Sequence, residues 1–358
     1  MAHIASEIKR TIDTLRDDLR DSALGATFRR EAREISEFYL SPEQHKQLKK
    51  MTALGRIVYC TLWILQALFF RLTPLRRMLF VAGIIFIISI SNASGSTNGI
   101  VGGFLLVLVI LLELKDKLLA HHELREGRQI QELLMPEQVQ HFEGWSAYLY
   151  TRPANEVCGD LVDYLRLENG HAAVAIADVS GKGLHAALLT AKLQSTIRAL
   201  AFDAPSLTEL IARINTIFHR DSPSRIFASL LYAQITENDG TVRFVNAGHL
   251  PPFLIRKGAV TETEKGDLAI GLVGRASYRE HCVELEEGDM LVLYSDGVTE
   301  ARNEQGEFFG RDRLLASLTR AASLLPDRLC RQLVYDVDSF TGLAHRSDDL
   351  SLVIVRRL

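Results

Sequence analysis

Cysteine is scarce in this chain: Cys60, Cys158, Cys282 and Cys330 are the only four in 358 residues, and no two of them form a CxxC pair. That spacing supplies neither a disulfide framework nor a thiolate zinc site, and His121-His122 belongs to no metal-binding pattern. An excess of one charge is also missing. With a formal net charge of −3, binding to nucleic acid has no electrostatic support. Met1 to Lys50 lacks the early apolar core that a cleavable signal peptide carries. Its charges are of mixed sign, as in Arg16-Asp17-Asp18-Leu19-Arg20 and Arg29-Arg30-Glu31. This suits the solvated face of a helix and predicts an N-terminal cytoplasmic helical segment over residues 1–56.

Long apolar runs, by contrast, are present and clustered. Hydrophobic residues make up 47% of the chain, and three dense stretches fall between residues 57 and 112: Ile57 to Phe70, Met78 to Ile90 and Ile100 to Leu112. A bilayer-crossing helix needs roughly 20 mostly apolar residues, with a range beginning near 17. Counted with their uncharged flanks, the second and third stretches reach that range, and the small residues Ser91 to Gly99 between them predict the turn of a transmembrane hairpin over about 78–112. Arg71, Arg76 and Arg77 precede it and Lys115 and Lys117 follow it, so both ends are expected in the cytoplasm. The first stretch is shorter and has basic residues on both sides, which predicts an interfacial helix over 57–70, with a third span as the alternative. Residues 113–135 turn charged and helix-forming until Pro136 stops them, and with Gly127 inside and no sustained a/d heptads they read as a helical linker without coiled-coil support.

The chemistry lies further on. Asp160 follows a glycine in Glu156-Val157-Cys158-Gly159-Asp160. Asp178 ends the apolar run Ala172 to Ala177 and is followed by Val179-Ser180-Gly181-Lys182-Gly183, a buried strand breaking into a Gly-rich turn. Asp296 repeats the device after Met290 to Ser295, and Asp348 with Asp349 precedes the run Leu350 to Val355. Carboxylates at strand ends, on turns where glycine allows close backbone approach, suit hard divalent cations such as Mg²⁺ or Mn²⁺. An oxygen-only set of this kind predicts metal-assisted hydrolysis of a phosphate ester. The Walker pattern GxxxxGK[ST] is absent at Ser180-Gly181-Lys182-Gly183, although the helix expected from Leu184 to Leu200 offers its N-terminus to a phosphate.

In this order, the segments Glu156 to Asp163, Ala177 to Leu188, Asn246-Ala247-Gly248-His249-Leu250-Pro251-Pro252, Leu291 to Ala301 and Asp348-Asp349-Leu350-Ser351 resemble the SpoIIE-like (RsbU-type) branch of the PPM, or type 2C, metal-dependent protein phosphatases. The resemblance covers roughly residues 130–358. It implies that Asp160, Asp178 and Asp296 act through water activated by a pair of Mn²⁺ or Mg²⁺ ions, with the Val179 carbonyl and Asp348 as further ligands and Asp349 as the reserve candidate. Asp163 matches a further family aspartate that serves either as ligand or as brace for the loop. Two positions depart from the pattern: Cys158 stands where the branch usually has glycine, and Ser180 where the wider superfamily often has a histidine acid. That leaves the general acid open, with metal-activated water as the default and His249 as a lesser candidate.

The resemblance implies an α/β (α+β) catalytic domain over 136–358, a PPM-type β-sandwich flanked by helices. Local patterns agree, with strands over Ala172 to Ala177, Ser229 to Ile235, Val242 to Asn246, Met290 to Tyr294 and Leu350 to Val355, and helices over Leu184 to Leu200 and Leu207 to His219. The expected protein is a phosphoserine/phosphothreonine protein phosphatase anchored in the cytoplasmic membrane. Its implied substrate is a phosphorylated anti-sigma-factor antagonist in a partner-switching pathway, and a homodimer is implied as well. The alternatives are a catalytically silent phosphoprotein-binding scaffold and a membrane signal receiver.

Overall fold

The structure is a computed structural model and describes residue 36 and residues 39–88, 96–168, 170–237 and 239–358. Most of the expected N-terminal helical segment and part of the hairpin turn (89–95) lie outside the described residues. The chain divides into two compact units, 1–117 and 118–358.

The described part of the first unit is helical. Its described elements are α1 (Pro42–Lys49), α2 (Ala53–Arg71), α3 (Pro74–Ile88) and the part of α4 (Ser96–Leu134) that precedes Leu118. Thr52 caps α2 by accepting from the Gly55 amide, so the helix starts earlier than the apolar run alone predicts. Its 19 residues span about 28 Å at 1.5 Å per residue. Among the described residues α2 alone is long and apolar enough to cross a membrane, and none of its residues is buried. Helices α3 and α4 pack closely through glycine: a Cβ on Gly102 would stand 2.7 Å from the Gly83 carbonyl oxygen and 3.0 Å from the Ile87 nitrogen. Such small-residue contacts let helix backbones approach where apolar burial alone gives little preference. Beyond the apolar run, Arg76 reaches Glu113 at 2.7 Å and Asp116 at 2.6 Å.

The second unit is a two-sheet sandwich. One sheet runs in the order β1 (Val139–Phe142), β2 (Trp145–Arg152), β11 (Leu350–Arg357), β10 (Met290–Tyr294), β7 (Phe253–Arg256), β8 (Ala259–Glu262). The other runs β3 (Asp160–Arg166), β4 (His171–Val179), β5 (Ala228–Thr236), β6 (Thr241–Ala247), β9 (Glu280–Glu284). Every strand pair is antiparallel. Strand periodicity sorts the side chains into three apolar layers. Val162, Val174, Ile176, Leu231 and Phe244 meet Leu291, Leu293, Val353 and Val355 between the sheets. The opposite face of β3–β6 carries Leu161, Ala177, Leu230 and Tyr232 against α5 (Leu184–Leu200) and α6 (Leu207–Asp221). The outer face of the first sheet packs on α8 (Gly310–Ala321) and α9 (Pro326–Thr341), and the single turn α7 (Asp296–Thr299) follows β10.

Candidate metal centre and active site

Strand parity places the site. Asp160 and Asp178 are direct partners across β3 and β4, and Ser229 pairs with Asp178 across β4 and β5. Directly paired residues of antiparallel strands point to one face of the sheet. Asp160 is two residues from Val162, Asp178 two from Ile176 and Ser229 two from Leu231, all members of the layer between the sheets. The three polar residues therefore close one end of that layer. From the other sheet, β10 delivers Ser295 and Asp296, and the start of β11 delivers Asp348 and Asp349.

These groups perturb one another. Asp160 is 4% exposed, and its Oδ2 is buried without a hydrogen-bond partner. Burial, with the Asp178 and Asp349 charges beside it, lifts its carboxyl well above the ordinary range, while the hydroxyls of Ser351 and Ser295 pull the other way. Burial and the charges of Asp296, Asp348 and Asp349 push Asp178 up to about 7. Asp296 rises to about 6 through burial and the nearby Asp348 and Glu300, with the Gly297 amide and Lys182 opposing. Among the described residues no three histidine, cysteine, aspartate or glutamate side chains close round one ion position, so the carboxylates form a cluster rather than a finished cage. Their chemistry nevertheless fits hard cations: all donors are oxygen, one is an orphaned buried carboxylate oxygen, and positive charge would relieve the mutual repulsion.

Asp348 and Asp349 have different surroundings. Asp349 is buried and accepts the amides of Ala154 at 2.7 Å and Gly159 at 2.6 Å, one on each oxygen. Asp348 lies at the rim, its Oδ2 3.6 Å from Lys182 Nζ, while Lys182 donates to the Ser347 carbonyl at 2.8 Å. The Val179 amide donates to the Gly159 carbonyl, and a Cβ on Gly159 would lie 3.7 Å from the Val179 carbonyl oxygen and 3.6 Å from Asp349 Oδ2. A Cβ at this position would make only ordinary contacts with two of the expected donors. Gly297 is constrained more tightly: a Cβ there would fall 1.9 Å from the Asp349 carbonyl oxygen.

Asp163 is fully buried and takes Arg198 in two hydrogen bonds, 2.9 Å from Nε and 2.7 Å from Nη2, with the Tyr164 amide at 3.0 Å. It braces β3 against α5. His249 is 6% exposed, with Nδ1 2.7 Å from Ser229 Oγ and Nε2 3.1 Å from the Tyr294 carbonyl. Burial lowers it to about 4, so it is neutral near pH 7, and both ring nitrogens are engaged. Ser180 Oγ accepts the Phe227 amide at 3.0 Å. Burial, with Asp160 and Asp349 near, pushes the Cys158 thiol up and leaves it unionised.

Sequence reasoning assigned no role to the hydroxyls that line the site. Ser295 Oγ donates to the Asp349 carbonyl at 3.2 Å and accepts the Ser351 amide at 2.9 Å, and Thr151 Oγ1 lies 2.8 Å from Ser351 Oγ. Ser295 and Ser351 stand inside the quoted motifs and were visible there; Thr151, on a strand without a motif, carried no signal.

The family model for Stage II sporulation protein E (SpoIIE) matches residues 168–358. The chain is 26% identical over 266 residues to Protein IcfG of Synechocystis sp., covering 66% of this chain and 41% of that protein. It is 27% identical over 243 residues to the phosphoserine phosphatase RsbU of Bacillus subtilis, covering 66% of this chain and 70% of RsbU. The fold is similar to that of the SiaA-PP2C domain of Pseudomonas aeruginosa, with a TM-score of 0.59 at 19% identity over 67% of this chain and 98% of that one. Two stacked antiparallel sheets with paired helices outside, like those of the PP2C-domain fold, and a family match over more than half the chain converge: the protein belongs to the SpoIIE family.

Proposed function

We propose that residues 136–358 hydrolyse phosphoserine or phosphothreonine in a partner protein, with Asp160, Asp178 and Asp296 as the central ligands of a Mn²⁺ or Mg²⁺ pair. The observation that carries this reading is the Asp160–Asp178 pair across β3 and β4, with the orphaned Asp160 Oδ2 at the end of the layer between the sheets. The Val179 carbonyl and Asp348 complete the proposed ligand set. Asp349, already holding two amides, shapes the 154–159 loop and contributes charge. When bound, hard divalent cations supply Lewis-acid charge for phosphoryl transfer and make water more acidic.

The chain's own residues prepare the ground for that chemistry. Asp178 and Asp296 hold protons more tightly than ordinary carboxylates and release them when a cation binds. Lys182 sets a positive charge at the rim beside Asp348. Helix α5 starts after Gly183 with no side-chain cap, so its first-turn amides would offer partial positive charge to a phosphoryl group bound there. The buried layer beneath Asp160 keeps bulk water away from one side of the site. The resemblance to RsbU, a phosphoserine phosphatase, supports a phosphoprotein substrate, and we propose the anti-sigma-factor-antagonist class.

The close α3–α4 contact through Gly83 and Gly102, and the length of α2, support anchoring in a membrane, and the basic flanks Arg71, Arg76, Arg77, Lys115 and Lys117 support a cytoplasmic catalytic unit. The test is Mn²⁺-dependent phosphate release from a phosphoserine peptide by the full chain in detergent, wild type against Asp296→Asn, with a chelator control. Turnover that disappears with chelator and in the variant supports the reading. Mn²⁺ binding without turnover would favour a silent phosphoprotein scaffold.

A further inference from the structure

His249 lies in the connection that leaves β6 in one sheet and enters β7 in the other. A carbonyl oxygen only accepts, so the 3.1 Å contact with the Tyr294 carbonyl fixes the ring hydrogen on Nε2. In the neutral ring Nδ1 is then an acceptor, and Ser229 Oγ donates to it at 2.7 Å. The two contacts fall on different sheets. Ser229 belongs to β5 and is the direct cross-strand partner of Asp178; Tyr294 ends β10, two residues before Asp296. The origin of the ring is fixed as well. The His249 amide donates to Asn246 Oδ1 at 2.8 Å, and Gly248, at φ 75°, presses so closely on Ala269 that a Cβ would stand 2.7 Å from its backbone.

We infer that His249 is a positioning residue: its ring ties the Asp178 end of one sheet to the Asp296 end of the other and so sets the spacing of the two central aspartates. This deepens the metal reading given above and rests on it for its consequence. A rigid ring with one donor and one acceptor on different edges suits the task. Phenylalanine has similar bulk and neither group, whereas glutamine offers a donor and an acceptor on a flexible stem. Partners that orient metal ligands are worth about 10–100-fold in metal affinity, which sets the size of the expected effect.

The experiment compares full-chain wild type, His249→Phe, His249→Gln and Ser229→Ala by two readouts. The first is amide hydrogen exchange over residues 295–300 in metal-free protein; the second is Mn²⁺ affinity. His249→Phe is expected to speed exchange at that turn and weaken Mn²⁺ binding about 10–100-fold. Ser229→Ala should shift both in the same direction by less, and His249→Gln should restore much of the loss. Equal behaviour of the Phe and Gln variants, or wild-type exchange and affinity in all three, overturns the inference and leaves His249 as core filling. If His249→Phe does not fold, Ser229→Ala, which removes one hydroxyl, decides the question. A wild type that binds no Mn²⁺ sinks the metal reading, while exchange still shows whether the tie holds the turn.

Discussion

The side-chain amide of Gln131 pairs with the main chain of Cys158 in both directions, donating to its carbonyl at 2.9 Å and accepting its N–H at 3.0 Å. Cys158 is two residues from Asp160, and the same loop is held by His121, whose Nδ1 lies 2.9 Å from Glu156. The end of α4 is gripped in return: the Leu134 carbonyl accepts from Gln194 at 2.9 Å and from Arg198 at 3.4 Å. The Cys158 side chain is itself buried, and the linker helix holds its backbone.

Gln131→Ala therefore removes two hydrogen bonds, each worth about 1 kcal/mol, from the loop that leads into Asp160. The folded protein should survive with a small drop in thermal midpoint, and Mn²⁺ affinity should fall by about 10-fold as the loop loosens. Titration calorimetry with Mn²⁺ reads this directly; an unchanged affinity would show that Asp160 is held by the sheet alone.

Asp163 is predicted to act on stability and not on the metal. Arg198→Ala leaves a buried carboxylate without its partner and should cost about 3 kcal/mol, at the low end of the usual range because the guanidinium is partly exposed. Urea unfolding measures the loss. Asp163→Asn should likewise destabilise while the folded fraction binds Mn²⁺ as wild type does; a lost metal site in that variant would make Asp163 a ligand.

Gly297→Ala places a methyl group against the Asp349 carbonyl oxygen, and backbone gives way less readily than a side-chain tip. A loss of about 3 kcal/mol is expected. It should come with weaker Mn²⁺ binding, because Asp296 and Asp349 are both displaced. A variant as stable as wild type, by thermal denaturation, would contradict the packing described.

The raised carboxyls give a pH dependence of definite sign. Asp178 near 7 and Asp296 near 6 hold protons that a cation must displace. Mn²⁺ affinity should therefore climb between pH 5.5 and 7.5 and level off above. In metal-free protein the folded pKa exceeds the unfolded value, so stability from this source is present at low pH and lost as pH rises through 6 to 7. Asp178→Asn should accordingly stabilise the metal-free protein at pH 8 and change it little at pH 4. Thermal midpoints of both forms at the two pH values test it; a variant no more stable than wild type at pH 8 would refute the sign.

Much of the catalytic unit was legible because its central strands are buried on both faces. β4, β6 and β10 show as apolar runs stopped by Asp, Gly or Ser, and β5 and β11 as apolar runs between polar residues. The outer strands were harder to see. β1 and β8 have four residues each, and β9 alternates between exposed and half-buried positions, so little in their composition separates them from loops. The aspartates were visible through their turns, but their division of labour was not: Asp349 holds two amides donated from a segment nearly two hundred residues earlier. Local sequence carries no record of such a long-range partner. His249 stood out through its Gly-His-Leu-Pro-Pro turn, but its partners Ser229 and Tyr294 come from two different sheets and leave no local trace.

The row formed by Asp160, Asp178 and Ser229 lies on one side of a pleated surface, and this limits how relatives of this chain can vary in length. Residues added in the connection between Arg166 and His171 extend the far end of the β3–β4 hairpin and leave the row intact. A single residue inserted within β4 between Ala172 and Asp178 turns Asp178 toward α5 and α6 unless a bulge absorbs it. Natural insertions and deletions should therefore collect in that connection and avoid the strand itself.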